Sequence, residues 1–149
     1  MKDTSHCCSF GLLLGRWCIS IIFILSGVGK FLEYDATSQY MAAQGMTFVP
    51  FFLAIAALIE IIFGLSVFLG YKARLGALVL LLYLIPVTAI FHNFWFQEGD
   101  MSKLQMIMFM KNLAIFGGLV NLACTGPGGW SLDACGCCAS SCGTSSCSK

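Results

Sequence analysis

The chain has 149 residues, of which 58% are hydrophobic and 10% charged, and a formal net charge of +1. Soluble domains run at about 45–50% apolar and about 25% charged, so this chain lacks the polar residues to cover a water-facing surface. The near-neutral balance, with no basic run and no Arg-rich helix, excludes a nucleic-acid partner and leaves an integral membrane protein.

The first nine residues form a short N-terminal segment carrying His6, Cys7 and Cys8. An apolar run follows at 10–31, broken only by Arg16. No small-residue cleavage site follows it, so it is expected to stay as a first transmembrane helix rather than act as a removed signal. The connection at 33–45 is amphipathic enough to form a short helix along the membrane interface. Three more apolar runs lie at 49–70, 75–96 and 103–123. Each is about 20 residues, which at about 1.5 Å per residue matches a hydrocarbon core about 30 Å thick. They lack the alternation of barrel strands, so they are helices. Pro86 in the third run favours a kink that neighbouring helices can accommodate. The turn between runs two and three is so short that they must form an antiparallel hairpin. Gly11, Gly15, Gly117 and Gly118 offer sites for close helix approach. The expected fold is therefore all-α: an integral four-helix membrane bundle over 10–133, followed by a Cys-rich tail at 134–149. That tail is rich in Ser and Gly and is expected to be disordered.

Glu60 is stranded in the second run, where a carboxylate is expensive unless paired. Counted along the helix rise, it lies at about 15 Å from one end of its span, and Lys111 of the fourth run at about 18 Å from the same side. This places Lys111 as its partner near the midplane. Asn112 can add a hydrogen bond, and Arg16 can join through its long side chain. Together with His92 these residues form the candidate intramembrane polar site. It reads either as a clamp that sets bundle register or as a proton- or ligand-responsive centre. His92 sits within Phe91-His92-Asn93-Phe94-Trp95. This aromatic cluster reads as an interfacial belt, or as the wall of a quinone pocket formed by Phe91, His92 and Trp95.

Lys2, Arg16, Lys72 and Arg74 fall on one side of the membrane, against Lys30 and Lys103 on the other, which favours both termini in the cytoplasm. The chain has nine cysteines, an odd number, so intrachain disulfides cannot pair them all. Cytoplasmic thiols stay reduced. The tail residues Cys135, Cys137, Cys138, Cys142 and Cys147 contain no C-x-x-C pair. They suit a soft metal such as Cu(I) or Zn(II), with His6, Cys7, Cys8 and Cys124 on the same side. Lipidation, idleness and a thiol-disulfide relay are the other readings of this tail.

Several motifs, in order, resemble the DoxX family. They are Gly15-Arg16-Trp17, Ser26-Gly27-Val28-Gly29-Lys30-Phe31, Leu58-Ile59-Glu60-Ile61-Ile62-Phe63-Gly64, Phe91-His92-Asn93-Phe94-Trp95, the run from Phe109 to Leu119, and Gly126-Pro127-Gly128-Gly129-Trp130. The resemblance covers roughly 12–133 and implies a four-helix bundle in a bacterial inner membrane. Relatives in the wider family include subunits of thiosulfate:quinone oxidoreductase and proteins linked to membrane complexes that handle thiol and oxidative stress. It implies a component of a quinone- or thiol-linked redox system, acting as a non-autonomous subunit with a redox partner, or as a homo-oligomer. Quinone is the cofactor this implies. The sequence holds no nucleotide, flavin or haem motif, so electron-transfer chemistry requires a cofactor or partner. A soft-metal or metalloid carrier or sensor built on the tail, and a non-catalytic assembly scaffold, are the alternatives. The Cys-rich tail departs from the family pattern.

Overall fold

A computed structural model describes the backbone of residues 2–96 and 98–134 and the side chains of 9–95 and 98–134. The disorder and metal expectations for the tail cysteines at 135–147 lie outside the described residues, as do the side chains of His6, Cys7 and Cys8. The described residues are helical and contain no strand.

The elements are α1 (Lys2–Leu32), α2 (Tyr34–Ala43), α3 (Val49–Leu69), α4 (Ala73–Phe91), a 3-10 turn (Phe94–Phe96) and α5 (Gly99–Thr125). Four of these helices are long and apolar enough to cross a membrane, and the described part of the protein is a bundle of them. The third helix ends at Phe91 rather than at Phe96, and the fourth begins at Gly99 rather than at Lys103. The α4 break falls at His92, whose N–H still bonds to Thr88 O while its ψ of 43° leaves the helical region. The 33–45 connection does contain a short helix, α2.

Each spanning helix buries one seam with spacing close to 3.5 residues. The seams are Leu13, Arg16, Ser20, Phe23 and Gly27 in α1, and Leu53, Ala57, Glu60, Gly64 and Val67 in α3. In α4 they are Ala73, Ala77, Leu80 and Leu84, and in α5 Asn112, Ile115, Leu119 and Leu122. This is the period of left-handed antiparallel bundles. The seams interleave small and polar residues with leucines and a few other large side chains, while Leu25, Phe51, Ile62, Leu82 and Ile107 point outward. Lipid tails are as apolar as leucine, so helices in a membrane bury what packs closely or hydrogen-bonds, and leave bulk outside.

Helix α3 lies between α1 and α4, and α5 packs on α4 and on α1. Thus α3 and α5 sit diagonally. The α1–α3 approach is the tightest. A Cβ on Gly27 would lie 2.7 Å from Ile61 Cγ1 and 3.0 Å from Ala57 O, and one on Gly64 2.9 Å from Ile24 Cγ1. Of the glycines expected to bring helices together, Gly118 does meet Ile19 of α1, but Gly11, Gly15 and Gly117 face open space.

The α3–α4 turn is built on Gly70, at φ 71°. Tyr71 N–H reaches Ser66 O and Gly70 N–H reaches Val67 O, the pattern of a left-handed helix end. Lys72 also takes a left-handed φ of 47°. The first N–H groups of α4 are then capped from far along the chain: Asp133 accepts from Lys72 N–H at 2.8 Å and from Ala73 N–H at 3.1 Å.

Candidate functional site

The carboxylate of Glu60 is buried where α1, α3 and α4 meet, at 4% exposure. Lys30 of α1 donates to its Oε2 at 2.6 Å, and Tyr83 of α4 donates to its Oε1 at 2.8 Å. Lys30 Nζ also donates to Ser26 Oγ at 2.9 Å, one turn back on its own helix. Both carboxylate oxygens are therefore engaged, and the ammonium group holds two acceptors. A buried ion pair is tolerable under those conditions, since hydrogen bonds on the remaining lone pairs offset desolvation.

Lys111 is thus not the partner of Glu60. Two assumptions behind that pairing fail. First, α5 lies diagonally across from α3, so a residue at matching height on α5 is not a neighbour. Second, the end of α1 and the start of α3 are not level. The contacts of Gly27 with Ala57 and Ile61, and of Gly64 with Ile24, put Leu32 opposite residue 55 or so. The end of α1 therefore lies about 9 Å below the start of α3, at 1.5 Å per residue. Side chains on a helix point back toward its N-terminus, so Lys30 descends further, into the interior.

The other expected members of one polar site are spread over four places. Arg16 is buried near the opposite end of the bundle, at 3% exposure. Its Nη1 donates to Pro127 O at 2.8 Å and its Nη2 to Trp130 O at 2.9 Å, while Nε has no hydrogen-bond partner. Arg16 and Asp133 together fasten residues 126–134 beneath the bundle. Asn112 donates to Thr88 Oγ1 at 3.0 Å between α5 and α4. His92 Nδ1 lies 3.0 Å from Gln105 Oε1. Lys111 is exposed on α5, with Met108 Sδ 3.4 Å from its Nζ.

A groove of about 250 Å³ runs between α4 and α5. Leu84, Phe109 and Phe116 are among its walls, the Thr88–Asn112 pair is its polar lining, and Trp95 stands at one end. Phe91 and His92, expected beside Trp95 in a quinone pocket, do not line it. Phe91 instead stacks on Tyr40 of α2 at 5.7 Å between centroids, and its carbonyl accepts from Tyr40 Oη at 3.0 Å. Among the described residues, no three His, Cys, Asp or Glu side chains approach closely enough to hold a metal ion.

The sequence marks Glu60 but not Tyr83, and counts Lys30 only among the charges of one membrane side. A signal for Tyr83 was present: the tight turn at 70–72 makes residues 60 and 83 level, each about eleven residues from the turn.

A four-span bundle whose interior carries a three-helix Lys–Glu–Tyr contact defines a polytopic membrane protein with a polar core. The sequence model of the family described as DoxX matches residues 11–93, which span α1 to α4. The chain belongs to the DoxX family. It is 41% identical over 124 residues to the inner membrane protein YqjF of Escherichia coli, covering 83% of this chain and 89% of that protein. It is 36% identical over 122 residues to the inner membrane protein YphA of the same organism, covering 82% of this chain and 87% of that one. A Drosophila melanogaster Surfeit locus protein 4 homolog is 32% identical over 100 residues, 62% of this chain and 37% of that protein. No solved structure matches significantly.

Proposed function

We propose that this protein is the membrane component of a quinone- or thiol-linked redox system, and that the α4–α5 groove binds the quinone ring. The observation that carries the reading is the groove itself. Its walls are apolar and aromatic, its size of about 250 Å³ suits a single substituted ring, and its polar lining is the Thr88–Asn112 pair. Pockets for small apolar ligands combine greasy walls with a few placed polar groups in this way. Thr88 and Asn112 are paired with each other and the groove surface is almost wholly apolar, so the ring is held by apolar contact. Trp95 offers a flat face at one end. A bound quinone would carry the electrons, and a partner subunit would deliver them. The protein's own residues seat the ring between the apolar faces of α4 and α5. The Lys and Arg balance of the span ends supports a topology with both termini in the cytoplasm.

The test is titration of the purified protein with a short-chain ubiquinone or menaquinone analogue, followed by tryptophan quenching. Saturable binding is expected, weakened about tenfold when Ala89→Phe fills part of the groove. Absence of saturable binding, or equal binding by that variant, would refute the assignment.

The saturated Lys30–Glu60–Tyr83 contact favours a second reading, a non-catalytic assembly scaffold in which this contact only fixes helix register. Under it, Glu60→Gln alters stability while every partner-dependent activity persists in the folded fraction. A stable but inactive Glu60→Gln protein would eliminate that reading.

A further inference from the structure

Helix α5 carries two seams of the same spacing on opposite faces. One is buried, at Asn112, Ile115, Leu119 and Leu122. The other is exposed, at Ile107, Met110, Ala114, Gly117 and Asn121, with Lys111 flanking it. Its steps of three and four residues are those of a coiled-coil seam, and Lys111 occupies the flanking position where charges select partners. The outward face of α3 presents Phe51, Phe52, Leu58, Ile62 and Leu65, and α5 also exposes bulk, but its seam adds Ala114, Gly117 and the flanking Lys111. A Cβ on Gly117 would meet nothing within 4 Å, so another helix can approach closely there.

Lys111 adds the charge argument. The two ion pairs among the described residues are Lys30–Glu60 and Lys103–Asp100, and neither involves it. Helix α5 has 27 residues, so it rises about 40 Å across a core of about 30 Å. Centred in that core, the Lys111 backbone lies about 13 Å inside the nearer edge, beyond the length of a lysine stem. A second copy of this chain cannot answer the charge. Within the four spans the acidic residues are Glu60, already engaged, and Asp100 at the very start of α5, and a symmetric α5 contact would bring like charges together.

We propose that the exposed seam of α5 is a docking site for a transmembrane helix of a different protein, and that this helix carries an Asp or Glu at the depth of Lys111. The seam faces away from the quinone groove. Neither Lys111 nor Ala114 lines that groove, so either assignment can fail without the other.

The experiment places a photo-reactive benzoylphenylalanine at Ala114 of the full chain in its native membrane, with Leu82 on α4 as a lipid-facing control. The expected result is a discrete adduct from Ala114 alone, with a protein that has a carboxylate within one of its spans. Lys111→Glu and the milder Lys111→Met should each lower the adduct yield about tenfold at unchanged protein level. Changing the partner's carboxylate to Lys should restore the yield with Lys111→Glu. The proposal is overturned by adducts only with lipid, by adducts only with a second copy of this chain, or by a captured protein without an intramembrane Asp or Glu. Unchanged adduct yield in the folded Lys111→Met protein overturns it equally.

Discussion

Replacing Lys30 by Met, which keeps the length and apolar stem and removes the charge, leaves the Glu60 carboxylate inside the bundle with Tyr83 as its remaining donor. Breaking a buried ion pair from one side costs about 3–5 kcal/mol, because the abandoned charge stays desolvated. Glu60 is 4% exposed but the Lys30 side chain is 19% exposed, so the lower end of that range applies, about 3 kcal/mol. The asymmetry of such pairs gives a second arm. Removing all three partners together, as Lys30→Met, Glu60→Leu and Tyr83→Phe, leaves no buried charge unpaired and costs only the contact to the exposed Ser26 hydroxyl, so stability should return to within about 1 kcal/mol of the parent. The third arm is Lys111→Met, which removes an exposed side chain without an ionic partner in the bundle and should cost nothing measurable. The assay is reversible unfolding in mixed micelles of fixed composition, monitored by helix content and repeated at two protein concentrations. A cost under about 0.5 kcal/mol for Lys30→Met, or an equal cost for Lys111→Met, would refute the Lys30–Glu60 pairing as a stabilising contact.

Two further substitutions probe the ends and the narrowest contact. Asp133→Ala strips two N–H groups at the start of α4 of their acceptor and should cost about 1–2 kcal/mol, with amide exchange accelerating first at residues 72–74. Gly27→Val sets two methyl groups against Ile61 and the Ala57 carbonyl, where even one Cβ would approach to 2.7 Å. It should destabilise by more than about 3 kcal/mol, and the shortening substitution Ile61→Ala in the same chain should recover part of the loss.

How far the sequence reveals this molecule differs between its levels. The four spans are legible because 20-residue apolar runs have few other uses, and the α3–α4 hairpin follows from the brevity of its turn. Glu60 is legible for the same reason, as a charge where charges are costly. Its partner is not, because hydropathy assigns each helix a length but neither a neighbour nor a starting height. The spans are apolar on all sides, so the usual amphipathic stripe that tells which face is buried is absent. What marks the buried seams is the recurrence of Gly, Ala, Ser and polar residues at steps of three and four, and read that way Gly27, Glu60 and Gly64 fall into place. Arg16 illustrates the remaining gap. Nothing local in α1 points to carbonyls of Pro127 and Trp130, which follow it by 111 and 114 residues.

That separation has a meaning for how the protein is made. Chains emerge from the ribosome at about 5–20 residues per second, so Arg16 enters the membrane roughly 5–20 s before its acceptors exist. The Lys30 ammonium waits a shorter time, for Glu60 30 residues later. Both cations of the first helix are thus made before their partners, and the Arg16 guanidinium gains its two acceptors only when the last turn forms beneath the bundle. A nascent chain stalled before residue 127 therefore lacks both carbonyls that hold the Arg16 guanidinium in the finished protein.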